Sequence, residues 1–333
     1  MMRLVPNLSW FAVLGAAACG SDSSTLPSLL RHEFPVVQLE AQQETEEWCQ
    51  SWTLDNDEPV YVNSIKMVND GYFHHSNWFW VPEDEYDGPD GTWPCAERDY
   101  DQSTAAIIGG VLFAQSTQAT DETLGFAPNA AFKIQPHARL IGGLHLVNPS
   151  DEPVETSLSF EIKSIREDQA EIALAPATFT YFPLALPPNK KSRFQSTCDL
   201  EQAFGAPADF RFYYMLPHYH ALGTGTTMTA ELPTGATTFF GSEGTIGEPK
   251  SQKLDPPFHA ASASTLSFSC DYFNSTGVEV GWGNAAGEMC IMVSWTDSPY
   301  FIYGAVRGQS TAMGTVDGVE VYEGACEIAF FEN

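Results

Sequence analysis

The sequence predicts an all-β fold, arranged as two tandem β-sandwich domains of jelly-roll type. Short runs that are continuously apolar or alternate apolar with polar recur after residue 45, at 60–68, 72–81, 140–147, 156–162, 210–216, 278–282, 291–295 and 327–331. Turn-forming clusters such as Asp87-Gly88-Pro89-Asp90-Gly91, Asn148-Pro149-Ser150-Asp151 and Leu186-Pro187-Pro188-Asn189 separate such runs. Sustained helical periodicity is confined to one short candidate over 198–204, which Gly205 is placed to end.

Length and composition agree with that arrangement. The chain has 333 residues, enough for two domains of about 100–200 residues each, and a boundary near 165–175 divides it into 45–170 and 171–333. With 43% hydrophobic and 13% aromatic residues it is not a disordered chain. Acidic residues outnumber basic ones by 43 to 15, for a net charge of −28. Phosphate backbones and anionic lipid surfaces repel such a chain, so no nucleic-acid partner and no basic membrane-binding face are expected.

The N-terminus predicts export. Arg3 supplies a positive start, and residues 4–18 are apolar except for Pro6, Asn7 and Ser9. That stretch is too short to span a bilayer and suits the core of a signal peptide over 1–18. Gly15-Ala16-Ala17-Ala18-Cys19 resembles a bacterial lipoprotein processing site with Cys19 as the lipid-bearing residue, although Ala16 stands where that signal usually has Leu. Ordinary cleavage after Ala18 is the alternative. Residues 19–44 are expected to form a lipoprotein-type tether, and a lipid on Cys19 would be the chain's one membrane attachment, in the periplasm or at the outer membrane.

Export gives the cysteines meaning, because disulfides persist outside the cytosol. There are seven: Cys19, Cys49, Cys95, Cys198, Cys270, Cys290 and Cys326. With Cys19 set aside, six remain, and six allow 15 connectivities, among which spacing alone does not choose.

The histidines carry the chemistry. His218 and His220 lie two apart after an apolar run, so a strand would project both from one face as a bidentate metal site; on an exposed strand such a pair is more commonly a polar surface feature. His74 and His75 are adjacent and could reach one metal only where a strand ends, bulges or bends. His145, alone in an apolar strand, reads as a packing residue, and Met289 alone reads as core filling. Beside a His-x-His pair, however, the Met289 thioether is the soft donor that Cu(I) prefers. Two imidazoles and a thioether would hold a copper with a position open for dioxygen, and three imidazoles a second copper suited to storing an electron. His32, His137 and His259 read as structural or exposed.

The order Trp48-Cys49, His74-His75, Cys95, Leu144-His145 with Asn148-Pro149, Cys198, His218-x-His220, Cys270, Met289-Cys290 and Cys326 resembles the copper type II, ascorbate-dependent monooxygenases. That family includes the peptidylglycine α-hydroxylating and dopamine β-monooxygenases, and the resemblance covers about residues 45–333. It implies two copper ions per chain. His74, His75 and His145 would hold the electron-transfer copper in the first domain; His218, His220 and Met289 would hold the oxygen-binding, catalytic copper in the second. It also implies the disulfides Cys49–Cys95, Cys270–Cys290 and Cys198–Cys326. The implied activity is hydroxylation of a C–H bond of a small organic substrate with O2, drawing electrons from ascorbate or another one-electron reductant as co-substrate.

Several positions depart from the family. Residues 79–81 lack the cysteine of a second first-domain bridge, which leaves the loop 82–100 less constrained. The peptide-hydroxylating members bind the substrate carboxylate with an Arg two residues before the His-x-His pair and with an Asn and a Tyr after the Met-Cys pair. This chain has Leu216, Ile291 and Val293 there. A glycine-extended peptide would bury its carboxylate unpartnered, at a cost of several kcal/mol, so peptide amidation is not expected and a less polar substrate is. The rival readings are a non-catalytic exported copper-binding or carrier lipoprotein, and a β-sandwich adhesion lipoprotein with incidental histidines.

Overall fold

A computed structural model describes residues 29–116, 118–244, 250–283 and 287–332. The expected signal peptide, Cys19 and the 21–27 segment lie outside those residues. Strands make up about 61% of the described residues and helices about 6%, which establishes the all-β class. Two pairs of large sheets account for nearly all of it.

In the first body, one sheet runs in the order Leu29–Glu33, Leu158–Ile165, Val60–Asn69, Ala130–Ile134, Ile172–Ala173, with Asp121–Gly125 also paired to Val60–Asn69. The facing sheet runs Gly91–Pro94, Glu44–Thr53, Arg139–Val147, Phe73–Val81, Gly110–Ala114. Val60 and Val62, then Ile65 and Met67, turn inward from Val60–Asn69, the alternation changing phase where Asn63 is the extra residue of a bulge. Arg139–Val147 is buried along almost its whole length, because it lies in the middle of its sheet with covering layers on both faces. Gly142 there is a packing requirement, since a methyl at its Cα would lie 2.4 Å from the Trp78 ring.

The second body has one sheet in the order Gln252–His259, Arg211–His218, Ile291–Thr296, Ala175–Tyr181, Tyr300–Val306, Cys326–Glu332. Its partner runs Gly235–Glu243, Gly223–Leu232, Thr265–Asn274, Lys190–Asp199, Val319–Glu323, Thr311–Val316. The chain crosses between bodies at Leu174, since Ile172–Ala173 still pairs with the first sandwich and Ala175–Tyr181 opens the second.

The structure corrects three expectations. Residues 29–44 are not tether: Leu29–Glu33 is an edge strand paired to Leu158–Ile165, Val37–Leu39 pairs with Val154–Thr156, and His32 stacks on Trp52 at 4.5 Å. A helix that the sequence pattern does not predict occupies Gln102–Ile108, where Asp101 caps the Thr104 amide at 2.7 Å and Gly109 ends it. The loop 82–100 is tied down by arginines in place of the missing bridge, Arg139 donating to the Tyr86 carbonyl at 2.7 Å and Arg98 to that of Pro89 at 2.7 Å. The helix expected near 198–204 is present as Leu200–Phe204, ended by Gly205 at φ 72°. All three disulfides, Cys49–Cys95, Cys198–Cys326 and Cys270–Cys290, are formed.

The two sandwiches share a core. Tyr213, Tyr214, Leu216, Val293 and Trp295 of the second pack into the cluster formed by the first. Phe126 meets Tyr214 and Trp295 at centroid distances of 6.1 and 5.9 Å. Tyr214 donates its hydroxyl to the Thr123 carbonyl at 2.8 Å. Buried Glu122 accepts from Ser116 Oγ at 2.6 Å on its own side and from Ser251 Oγ at 2.7 Å across the boundary. Apolar contact and satisfied polar groups together fix one docking geometry.

Candidate metal centre

Five of the eight histidines meet at that boundary. His74, His75 and His145 form one group of nitrogens within 4.8 Å of one another, and His75, His218 and His220 form a second. His75 belongs to both. Across the boundary its ring centroid lies 4.9 Å from His218 and 5.0 Å from His220, and His74 lies 5.3 Å from His220. The expectation of separate donor clusters, one per sandwich, is therefore corrected. The imidazoles form one continuous cluster, because the sandwiches dock through the faces that carry them.

A bulge solves the problem of the adjacent histidines. Between Phe73–Val81 and Arg139–Val147, His145 pairs with His75 but Leu146 pairs with Phe73, leaving His74 as the extra residue. An extra residue re-aims its side chain, so His74 and His75 both turn toward His145, at 4.5 and 5.0 Å between rings. Their Nδ1 atoms lie 3.3 Å apart. The Nε2 of His145 faces Glu44 at 2.8 Å and Glu46 at 3.6 Å, which directs its Nδ1 inward.

His218 ends its strand and His220 follows in the turn. Backbone carbonyls orient both. His218 donates from Nδ1 to the carbonyl of Gln115, a residue of the first sandwich, at 2.8 Å, and His220 donates from Nδ1 to that of Gly287 at 2.9 Å. Each therefore turns Nε2 inward with its lone pair free. The buried carboxylate of Glu288 binds the turn, accepting from the amides of Leu222 at 2.6 Å, His220 at 2.9 Å and Met289 at 3.2 Å. Desolvation pushes its pKa up to about 7 against the pull of those donors. Met289 follows directly, its carbonyl accepting from Tyr272 Oη at 2.7 Å, and Cys290 anchors the segment through Cys270.

Burial, aided by the neighbouring imidazoles, depresses these histidines: His74 to about 4, His218 to about 3, and His75 well below its ordinary value. His220 is lowered too, with the Gly287 carbonyl opposing. The rings are neutral near pH 7, the form that ligates a metal.

A metal fits this arrangement. His145 Nδ1, His218 Nε2 and His220 Nε2 are buried and have no hydrogen-bond partner. Buried polar atoms are seldom left so, whereas an imidazole that donates its other nitrogen to a carbonyl or faces a carboxylate with it has the arrangement of a metal ligand. The inward atoms divide into Nδ1 for the first sandwich and Nε2 for the second.

Met289 and His218 also line one end of a cavity of about 190 Å³ between the sandwiches. Its walls are mainly apolar, with Phe79 and Ile107 on one side and Ile291 and Val293 on the other. Leu216 is buried in the shared core. Away from the cluster, His137 faces Asp57 at 3.4 Å and His259 faces Asp209 at 2.6 Å.

Sequence reasoning misses Gln115, Glu288, Glu44 and the Gln102–Ile108 helix. For Glu288 a signal exists: an acidic residue immediately before Met289-Cys290, in an apolar segment, needs buried partners.

No family model matches the chain, and no curated protein matches it in sequence. Among solved structures, the N-glycanase PNGase F aligns at 10% identity over 81% of this chain and 94% of its own, with a TM-score of 0.34. The major capsid protein P2 from bacteriophage PM2 aligns at 8% identity over 80% and 97%, with a TM-score of 0.31. A putative secreted protein from Parabacteroides distasonis aligns at 8% identity over 81% and 89%, with a TM-score of 0.21. Likenesses this slight carry nothing about what the chain does.

Proposed function

We propose that this chain is a copper-dependent monooxygenase that hydroxylates a C–H bond of a small, largely apolar substrate, using O2 and a one-electron reductant such as ascorbate. One observation carries the reading: unpartnered, buried imidazole nitrogens converge beside an apolar cavity that a thioether also lines. His74, His75 and His145 would hold one copper, and His218, His220 and Met289 the other. Copper, when bound, supplies one-electron cycling and dioxygen activation, and the soft Met289 donor favours Cu(I).

The residues supply position and environment. Glu44, Gln115 and Gly287 fix the rings so that the inward nitrogens need no reorganisation. Glu288 holds the His220 turn and the Met289 segment in register. Ile291 and Val293 keep water from the end of the cavity where the substrate would lie. The imidazoles of the two sets lie about ring-contact distance apart, so an electron would have no solvent gap to cross. A carrier has no need of an apolar cavity beside its ligands, which favours the enzyme.

Three disulfides fit an exported protein, and among the described residues no helix is long and apolar enough to cross a membrane. Lipidation at Cys19 belongs to this proposal as the means of attachment.

The test is oxygen-dependent mass gain in candidate substrates with copper-loaded protein and ascorbate. Met289→Ile is expected to abolish product while most copper at the three-histidine site remains. Unchanged product formation would overturn the assignment.

A further inference from the structure

The cavity-facing strands of the second sandwich lie side by side in one sheet. From the cluster outward the sheet order is Arg211–His218, Ile291–Thr296, Ala175–Tyr181, Tyr300–Val306. Alternate residues of these strands line the cavity: Ile291 and Val293, then Thr178 and Thr180, then Phe301 and Tyr303. Arg307, just past the last strand, closes the row. The cavity thus runs to exposed Arg307 from buried Met289, two strand steps away, and from buried His218, three steps away at its far end. At about 4.8 Å per step, the backbone positions at its ends lie on the order of 14 Å apart.

Arg307 is the one Lys, Arg, Asp or Glu side chain among the described residues that line the cavity. The guanidinium carbon lies 5.1 Å from the Phe182 ring centroid and 5.8 Å from that of Tyr303, which hold it at the rim. No carboxylate among the described residues lies within ion-pair distance of it, although the chain carries 43 acidic side chains against 15 basic ones. The hydroxyl of Thr178, midway along the wall, is buried without a partner.

We propose that the cavity binds a small monocarboxylate with an apolar body of about one ring, its carboxylate on Arg307 and its far end against His218 and Met289. An apolar cavity of about 150 Å³ accommodates benzene, so about 190 Å³ leaves room for a ring and a short chain. A guanidinium at the rim receives a carboxylate through parallel N–H donors without requiring its burial. The carboxylate thus sits away from the end of the cavity that Ile291 lines, where this chain offers no polar partner. The inference rests on the oxygenase reading for what happens at the far end, but the binding itself does not.

Calorimetry on the copper-free full chain with 3-phenylpropanoate, 3-phenylpropanamide and 3-phenylpropylamine tests it. The carboxylate is expected to bind at least about tenfold more tightly than the amide or the amine. Arg307→Gln should erase that preference and leave amide binding unchanged, Arg307→Lys should keep part of it, and Ala106→Trp should block all three ligands. Equal binding of the three, binding of none, or a preference that survives Arg307→Gln overturns the proposal. Arg307-dependent binding with no oxygen-dependent product from any bound ligand in the copper-loaded protein would instead overturn the oxygenase reading alone. Turnover of the amide as fast as the acid would overturn this inference alone.

Discussion

The two halves of the histidine cluster are built by different means. In the first sandwich, His74, His75 and His145 sit on paired strands, and a single bulge aims them at one another. In the second, His218 closes a strand and His220 lies in a turn, and their orientation comes from carbonyls elsewhere, one of them Gln115 across the domain boundary. A set of ligands fixed by a sheet ladder depends on its own sandwich. A set fixed by borrowed hydrogen bonds depends on how the sandwiches dock. The first half is a property of one domain, the second of the pair.

His75 is where the halves meet, so its loss should have the largest effect. His75→Ala is expected to remove the first-sandwich copper and to weaken the second, whose imidazoles pack against the His75 ring, in protein that remains folded by circular dichroism, whereas His145→Ala removes only the first-sandwich copper. Elemental analysis of dialysed protein distinguishes them, and equal losses in both variants would break the idea of a shared residue.

Glu288 separates the halves next. Glu288→Gln keeps the shape but weakens acceptance from the amides of His220, Leu222 and Met289. Partners that orient metal ligands are typically worth about 10- to 100-fold in metal affinity. We expect a loss of that size at the His218, His220 and Met289 set, with the three-histidine set unchanged. Competition with a Cu(I) chelator measures both affinities, and an equal loss at both sets would contradict the division.

Much of the first half is legible in the amino-acid sequence. The strand patterns, the need for a strand end, bulge or bend at His74-His75 and the residue types of each ligand set all follow from it. The site of the bulge does not, because it depends on which residue of Arg139–Val147 faces which of Phe73–Val81, a matter of register between segments far apart in the chain. The merging of the two sets is hidden for a similar reason. Phe126, Tyr214 and Trp295 read as ordinary core aromatics, and nothing local marks them as the surfaces on which two sandwiches dock. The strand Leu29–Glu33 carries no local mark either, because its pairing partner, Leu158–Ile165, lies over 120 residues away. Arg307 has no motif around it and gains meaning only from the row of strands that ends beside it.

The smallest expected effect concerns the metal-free protein and acid. His74, His75, His218 and His220 have folded pKa values below their ordinary value, to about 4 for His74 and about 3 for His218. The unfolded chain therefore binds more protons than the folded one, and stability falls as pH drops from about 6.5 toward 4. Glu288 opposes this, since its raised value makes the folded chain the better proton binder between about 4.5 and 7, and Glu122, raised by burial, acts in the same direction. Four histidines outweigh two carboxylates, so urea midpoints of copper-free protein should decline on acidification through that window. Glu288→Gln should make the decline steeper, and a midpoint that rises toward pH 5 would contradict the burial of the imidazoles.

The most direct measurement is copper K-edge X-ray absorption on the Cu(I)-loaded chain. The account predicts two coppers per chain with imidazole nitrogen scattering throughout, and a sulfur scatterer that disappears in Met289→Ile while the nitrogen shells persist. Copper that stays bound after all five clustered histidines are replaced, or a sulfur shell indifferent to Met289, would contradict it.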